Sequence, residues 1–92
     1  MSKSLFPLGD VLATPGVLDA LQASGESPLT FLARHAQGDW GEVPPEDAKE
    51  NDFSVINGFR ILSAYQTVRG VHLWVITEAD RSYTTILLPS EY

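Results

Sequence analysis

The stretch from Val71 to Leu88, VHLWVITEADRSYTTILL, decides how this chain is expected to fold. β-branched and aromatic residues fill both of its arms, and such residues are favoured in strands. Between the arms, residues 78–82 read Glu-Ala-Asp-Arg-Ser, which is polar enough to form a turn. The stretch therefore predicts two antiparallel strands, over about 71–77 and 83–88, joined by a hairpin.

The segment just before this stretch extends the same sheet. From Phe59 to Gln66 the side chains follow a period of two, which indicates a strand. Thr67–Gly70 then reads as a hairpin loop with the glycine that such loops need. After the last arm, Pro89 ends the pairing, because proline has no N–H to donate. Residues from about 59 to 88 thus predict a three-stranded antiparallel meander.

Helices are predicted upstream, each opened by a proline and followed by a glycine. Thr14-Pro15 and Ser27-Pro28 combine a hydroxyl N-cap with proline at the first helical position. The predicted ranges are about 15–24, 28–37 and 45–57, the third less sharply bounded than the others. Asp10–Ala13 is either a short edge strand or a loop.

These elements predict an α+β fold in one domain spanning residues 1–92. Two to three N-terminal helices, within about 15–57, are expected to pack on one face of the C-terminal meander of about 59–88. A short N-terminal edge strand would extend the sheet. Which face the helices cover is left open.

The charge balance limits the classes of partner. Twelve acidic residues against six basic ones give a net charge of −6, which argues against direct nucleic-acid binding, since that binding relies on Lys and Arg. Six of the acids lie between residues 39 and 52, where Lys49 alone opposes them. This run is either a solvated loop and helix start or a negative patch that meets a basic partner.

Composition also indicates the compartment. The chain has no cysteine, so disulfides and thiolate metal sites are excluded. Its first residues lack the apolar core of a secretory signal, and no apolar run reaches the ~18 residues of a membrane span. We therefore expect a cytoplasmic protein without a membrane partner.

Catalytic and metal-binding patterns are sparse. The two histidines, His35 and His72, lie on different predicted elements, and the glycines form no phosphate loop, so neither metal nor cofactor is expected. The enzymatic alternative is a metal-independent ribonuclease toxin of the RelE or barnase type, which needs a base and a phosphate-binding cation. Its candidate residues are His35, Arg60, Arg81 and Ser82. The acidic net charge opposes this alternative.

Three segments resemble a known family. They are Trp74–Tyr92, the pattern Arg34-His35-x-x-Gly38-Asp39-Trp40-Gly41, and the pattern Gly58-x-Arg60-x-Leu62-Ser63-x-Tyr65. Together they resemble a family of small uncharacterised bacterial proteins that are encoded on plasmids and other mobile elements and labelled plasmid-related. The resemblance implies a bacterial, mobile-element context and no catalytic residues.

The sequence favours a non-enzymatic interaction protein of plasmid or phage type. Its expected role is to modulate host defence or plasmid maintenance by binding a basic protein surface. The predicted interaction surface comprises Asp39, Trp40, Glu42, Glu46, Asp47, Glu50, Asp80 and Arg81. Besides the ribonuclease, the remaining alternative is a dimeric scaffold whose exposed sheet face pairs with that of a second copy.

Overall fold

The computed structural model describes residues 4–92 and has an α+β fold. Its elements in chain order are β1 (Asp10–Ala13), α1 (Pro15–Ser24), α2 (Pro28–Ala36), α3 (Pro45–Asn57), β2 (Ile61–Gln66), β3 (His72–Thr77), β4 (Tyr83–Leu87) and a short 3₁₀ helix (Pro89–Glu91). The predicted class is confirmed, and the short N-terminal strand is present.

The sheet has four strands in the order β1-β4-β3-β2. β2, β3 and β4 are antiparallel to one another, whereas β1 runs parallel to β4. The Asp10 N–H donates to the Ser82 carbonyl at 3.1 Å, and the Thr14 N–H to the Ile86 carbonyl at 3.1 Å. The prediction of a three-stranded antiparallel meander is therefore wrong. β1 pairs with the outer edge of β4, whose backbone groups would otherwise lack protein partners, and this makes the sheet mixed.

The helices begin and end where local chemistry directs them. The Thr14 hydroxyl accepts from the Val17 N–H at 3.4 Å at the start of α1, and the Ser27 hydroxyl from the Leu29 N–H at 3.1 Å at the start of α2. α3 ends at Gly58, whose φ of 77° is in the left-handed region that glycine tolerates. Within residues 4–92, no helix is both long and apolar enough to cross a membrane.

α1 and α2 cover one face of the sheet. Apolar residues from both helices meet the strands in one cluster: Val17, Leu21, Phe31, Leu32, Tyr65, Leu73, Val75 and Ile86. A second cluster, formed by Phe6, Trp40 and Ile61, lies at the β2 end of the sheet. Ala48 and Val55 of α3 pack against this second cluster, so α3 lies beside β2.

The opposite face of the sheet is partly covered by the C-terminal residues. The Tyr92 ring packs edge-on against Trp74, with ring centroids 5.7 Å apart, and its hydroxyl accepts from Arg60 at 2.8 Å. On this face Ile76 and Leu87 are buried, with exposed fractions of 3% and 5%. The candidate sites therefore lie around α3 and the turns rather than on a bare sheet.

Candidate functional site

His35 belongs to a buried chain of hydrogen bonds. Its Nδ1 lies 2.6 Å from the Ser63 hydroxyl, and its Nε2 lies 2.9 Å from the Thr77 hydroxyl. Thr77 is 2.7 Å from the Thr84 hydroxyl, which donates to the Leu8 carbonyl at 2.7 Å. His35 and all three hydroxyl residues have an exposed fraction of 0%. The chain links α2 to β2, β3 and β4 and to the segment before β1.

The donor and the acceptor of each hydrogen bond in this chain follow from its last member, the Leu8 carbonyl. The Leu8 carbonyl can only accept, so Thr84 donates to it and must accept from Thr77. Thr77 has then used its proton and accepts from the Nε2–H of His35, which leaves Nδ1 to accept from Ser63. The neutral imidazole, which the burial of His35 favours, therefore carries its proton on Nε2 and accepts from Ser63 at Nδ1.

This arrangement keeps His35 away from any substrate. Phe6 and Trp40 pack edge-on against the imidazole, with ring centroids at 5.2 and 5.9 Å. Burial, and secondly the positive charge of Arg81, lower the pKa of His35 to about 4. A general base must reach the proton that it removes. The Ser63–His35 pair has the residue types of a nucleophilic site, but it is enclosed.

Arg81 is bound to backbone carbonyls. It has a left-handed φ of 62°, and its guanidinium donates to the carbonyls of Phe59 at 2.7 Å, Ser54 at 2.8 Å, Glu78 at 3.1 Å and Ala79 at 3.2 Å. Carbonyls at the end of a helix carry partial negative charge, which a cation stabilises. Arg81 therefore joins the β3–β4 turn to the end of α3, and both terminal nitrogens of its guanidinium are engaged within the fold.

The other ribonuclease candidates have partners of their own. Arg60 donates to Glu78 at 3.2 Å and to the Tyr92 hydroxyl at 2.8 Å. The Ser82 N–H donates to the Asp80 carboxylate at 3.0 Å, so the turn is stabilised by its own side chain. Arg60 and Arg81 both bond Glu78, but His35 is bonded within the core and Ser82 within its own turn, so no hydrogen-bond network within residues 4–92 joins the four residues into one centre.

Part of the predicted acidic surface is paired or buried. Asp39 accepts from Arg34 at 2.6 Å, and this hydrogen bond lowers the pKa of Asp39. Glu42 accepts from Gln66 at 2.9 Å and lies 3.7 Å from the Nδ1 of His72. Trp40 has an exposed fraction of 6%, which removes it from the surface to which the sequence assigned it.

Two other features of this region follow from the structure. The Trp40 indole N–H donates to Asp52 at 3.0 Å, so the polar group of this buried side chain has a hydrogen-bond partner. Asp80 and Arg81 lie in the β3–β4 turn rather than in the acidic run. Of the six acids between residues 39 and 52, Glu46, Asp47 and Glu50 are exposed and take part in no salt bridge or side-chain hydrogen bond within residues 4–92.

The exposed side of α3 carries acids and apolar residues together. Glu46, Glu50 and Phe53 follow the spacing i, i+4, i+7, which places them in one stripe along the helix. Phe53 is 58% exposed and stacks on Phe59, which is 55% exposed, with ring centroids 5.9 Å apart and planes at 11°. Ile56 nearby is 84% exposed. We call Phe53, Ile56 and Phe59 the apolar cluster.

Two connected grooves run along this side of the molecule. The larger, of about 590 Å³, is lined by Lys49, Glu50, Phe53, Ser54, Phe59 and Arg60. The smaller, of about 180 Å³, shares Glu50, Ser54 and Arg60 with it and continues to Asp47 and β2. Acidic groups thus lie at one end of a continuous surface and aromatic rings at the other.

The aromatic pair is held by the backbone around it. Gly58 and Phe59 both donate their N–H groups to the Ser54 carbonyl, at 2.9 and 3.3 Å. Arg81 donates to that carbonyl and to the carbonyl of Phe59. Because the N–H and the carbonyl of Phe59 are both bonded, the backbone that carries its ring is fixed beside Phe53.

This pair was not predicted from the sequence, where Phe53 lies in the third predicted helix and Phe59 begins a predicted strand. A signal was present in the helical spacing. Ala48 and Val55, seven residues apart, define the inward side, and Phe53 and Ile56 fall outside that stripe.

Metal ligands do not cluster in the described part of the chain: no group of three or more His, Cys, Asp or Glu side chains there could hold an ion. Comparison with protein-family models, with curated proteins and with solved structures gave no match.

Proposed function

We propose that this protein is a small non-enzymatic interaction protein that binds a basic protein surface through the exposed side of α3. The observation that carries the proposal is the stripe of Glu46, Glu50 and Phe53, which continues onto the stacked ring of Phe59. Exposed charge without a counter-ion favours a partner of opposite sign. Exposed aromatic residues beside it provide area that a partner can bury.

Long-range electrostatics also favour a basic protein surface as the partner. With a net charge of −6, the molecule attracts cationic surfaces and repels polyanions. The resemblance to plasmid-related proteins adds a biological setting, in which the cytoplasmic target is a component of host defence or of plasmid maintenance. A basic nucleic-acid channel in such a component is a suitable surface for an acidic protein.

The alternatives have less support from the geometry. The ribonuclease hypothesis needs an accessible base, whereas His35 is enclosed and Arg81 is engaged by carbonyls. A dimer through the sheet face opposite α1 and α2 would have to accommodate Tyr92, which already packs on Trp74 there. The proposal therefore rests on α3.

A matched pair of charge variants tests the proposal. Glu46→Gln with Glu50→Gln removes two negative charges from α3, and Asp10→Asn with Asp19→Asn removes two from exposed positions elsewhere. In pull-downs from bacterial lysate, we expect the first variant to lose the basic protein that the wild type retains, and the second to retain it. Equal recovery by both variants would contradict the proposal.

A further inference from the structure

We infer that the partner segment carries an aliphatic or aromatic side chain close to its basic residues, and that this side chain packs on the apolar cluster of Phe53, Ile56 and Phe59. The inference rests on the proposed function and adds the chemistry of the ligand. The observation behind it is that acidic side chains and exposed aromatic rings lie side by side where the two grooves join.

The apolar cluster is exposed to an unusual degree for a folded domain. Its three members lie within seven residues of one another and are 58%, 84% and 55% exposed. Single exposed apolar residues are common on protein surfaces, but a contiguous group rimmed by charged residues marks an interaction site. Lys49, Glu50 and Arg60 provide that rim.

The cluster is also preorganised. The hydrogen bonds at Ser54 and Phe59 hold the backbone of the turn, and the two rings stack on each other, before a ligand arrives. A surface that is already ordered loses little conformational freedom on binding, so more of the gain from burial becomes affinity. This favours a short ligand segment as the occupant.

Charge selects among the occupants that an apolar surface could accept. A second copy of this chain would bring its own Glu46, Asp47 and Glu50 against the same acids or against the rings, and both arrangements are unfavourable. Nucleic acid is repelled by the same carboxylates. Lys49 is outnumbered by these acids, and Arg60 is already paired with Glu78. A segment that carries Lys or Arg beside an apolar side chain complements both the acids of α3 and the apolar cluster.

The length of the surface sets the spacing in the ligand. From Asp47 to Gly58 the helix rises about 17 Å, at about 1.5 Å per residue. An extended chain covers that length in about five residues, at about 3.3 Å each. The basic residues and the apolar anchor of the ligand are therefore expected a few positions apart.

Synthetic peptides and the purified full-length protein test the inference. The probes are a labelled peptide with lysines followed by leucines and a control in which serines replace the leucines. By fluorescence anisotropy we expect the lysine–leucine peptide to bind about tenfold more tightly than the control, which corresponds to about 1.4 kcal/mol. Phe53→Ser with Ile56→Ser should remove this advantage.

Control variants separate the apolar cluster from general surface hydrophobicity. Leu29 and Val68 are 72% and 79% exposed elsewhere, so Leu29→Ser with Val68→Ser should leave the advantage of the lysine–leucine peptide unchanged. Circular dichroism confirms that each variant is folded. Because all four positions are exposed, the substitutions leave the core intact.

Each outcome decides between the two proposals. If Glu46→Gln with Glu50→Gln weakens both peptides while Phe53→Ser with Ile56→Ser weakens neither, the acidic surface stands and the apolar anchor is rejected. If neither peptide binds and Phe53→Ser with Ile56→Ser abolishes self-association, a second copy occupies the cluster and the inference is overturned. If no peptide binds and no self-association occurs, both proposals fail.

Discussion

His35 shows how a titratable side chain can be held neutral by burial while both of its ring nitrogens are hydrogen-bonded. Ser63 donates to one ring nitrogen and Thr77 accepts from the other. A proton on Nδ1 would face a hydroxyl that must first turn round, in a site closed by Phe6 and Trp40. The charged form is therefore penalised first by desolvation and secondly by the positive charge of Arg81.

This neutrality predicts a dependence of stability on pH. His35 has a pKa of about 4 in the fold, against 6.5 for a free histidine, so the unfolded chain binds the proton more readily. Its contribution is complete above pH 6.5 and is lost as pH falls from 6.5 to 4, by about 3 kcal/mol in total. Urea denaturation at a series of pH values measures it. His72→Gln should keep this loss, and a flat profile down to pH 4.5 would disprove it.

Arg81 combines a left-handed backbone with four carbonyl contacts. Arg81→Ala removes the contacts and keeps the backbone strain, and we expect it to lower the free energy of unfolding by about 2–3 kcal/mol. Arg81→Gly removes the contacts and also the strain, so it should be about 1 kcal/mol more stable than the alanine variant. Thermal and urea denaturation measure both. Equal stability of the two variants would mean that the φ of 62° is not maintained in solution.

At the level of secondary-structure elements, the outer edge of β2 is covered by the loop before α3 and by α3 itself. The Ala64 N–H donates to the Trp40 carbonyl at 3.1 Å, and the Glu42 N–H donates to the Ala64 carbonyl at 2.7 Å. Asn51 completes the edge, because its side chain donates to the Leu62 carbonyl at 2.8 Å and accepts from the Leu62 N–H at 3.3 Å. The loop before α3 and the helix itself thus protect a strand edge that could otherwise aggregate.

Gly41 and Gly25 provide a matched test of this close approach. Both have a φ of 73°, but a Cβ at Gly41 would lie 1.9 Å from the Ala64 carbonyl oxygen, whereas a Cβ at Gly25 would meet nothing within 4 Å. Gly25→Ala should therefore cost only about 1 kcal/mol, the penalty for the left-handed conformation. Gly41→Ala should cost about 3 kcal/mol or more, since the loop must also move away from β2. Comparable losses in urea denaturation would contradict the contact.

The elements differ in how far local sequence determines them. The helices were predictable because their caps are local: Thr14, Ser27 and Gly58 act within one turn of the helix end. The antiparallel hairpins were predictable because each has its own turn. The parallel pairing of β1 with β4 was not, since residues 10–13 contain no signal for a partner more than seventy positions away.

The candidate site was predictable only in part, for the same reason. The acids of α3 were visible as a run in the sequence. Their combination with the apolar cluster was not, because the stacking of Phe59 on Phe53 depends on the turn at Gly58 and on Arg81, which follows in the chain more than twenty residues later. Burial of His35 likewise depends on hydroxyls from three strands.

Over the whole molecule, the first and last described segments are interlocked. The Leu8 carbonyl accepts the end of the buried hydrogen-bond chain from Thr84. At the other end of the chain, Glu91 accepts from the Thr14 hydroxyl at 2.5 Å and from the Gly16 N–H at 3.0 Å, so it caps α1 from outside. The edge strand β1 lies between these two contacts.

The parallel pairing of β1 with β4 has a consequence for synthesis on the ribosome. β1 leaves the exit tunnel before the other strands of residues 4–92, but the strand with which it pairs, β4, is the last of these to be made. The contacts between Leu8 and Thr84 and between Thr14 and Glu91 span 76 and 77 positions, and contacts of such separation form late in folding. The nascent chain can form its helices while it is being translated, but the sheet cannot close until β4 has also left the exit tunnel. Until then β1 has no strand with which to pair, and a ribosome stalled before β4 emerges would hold the protein in that state.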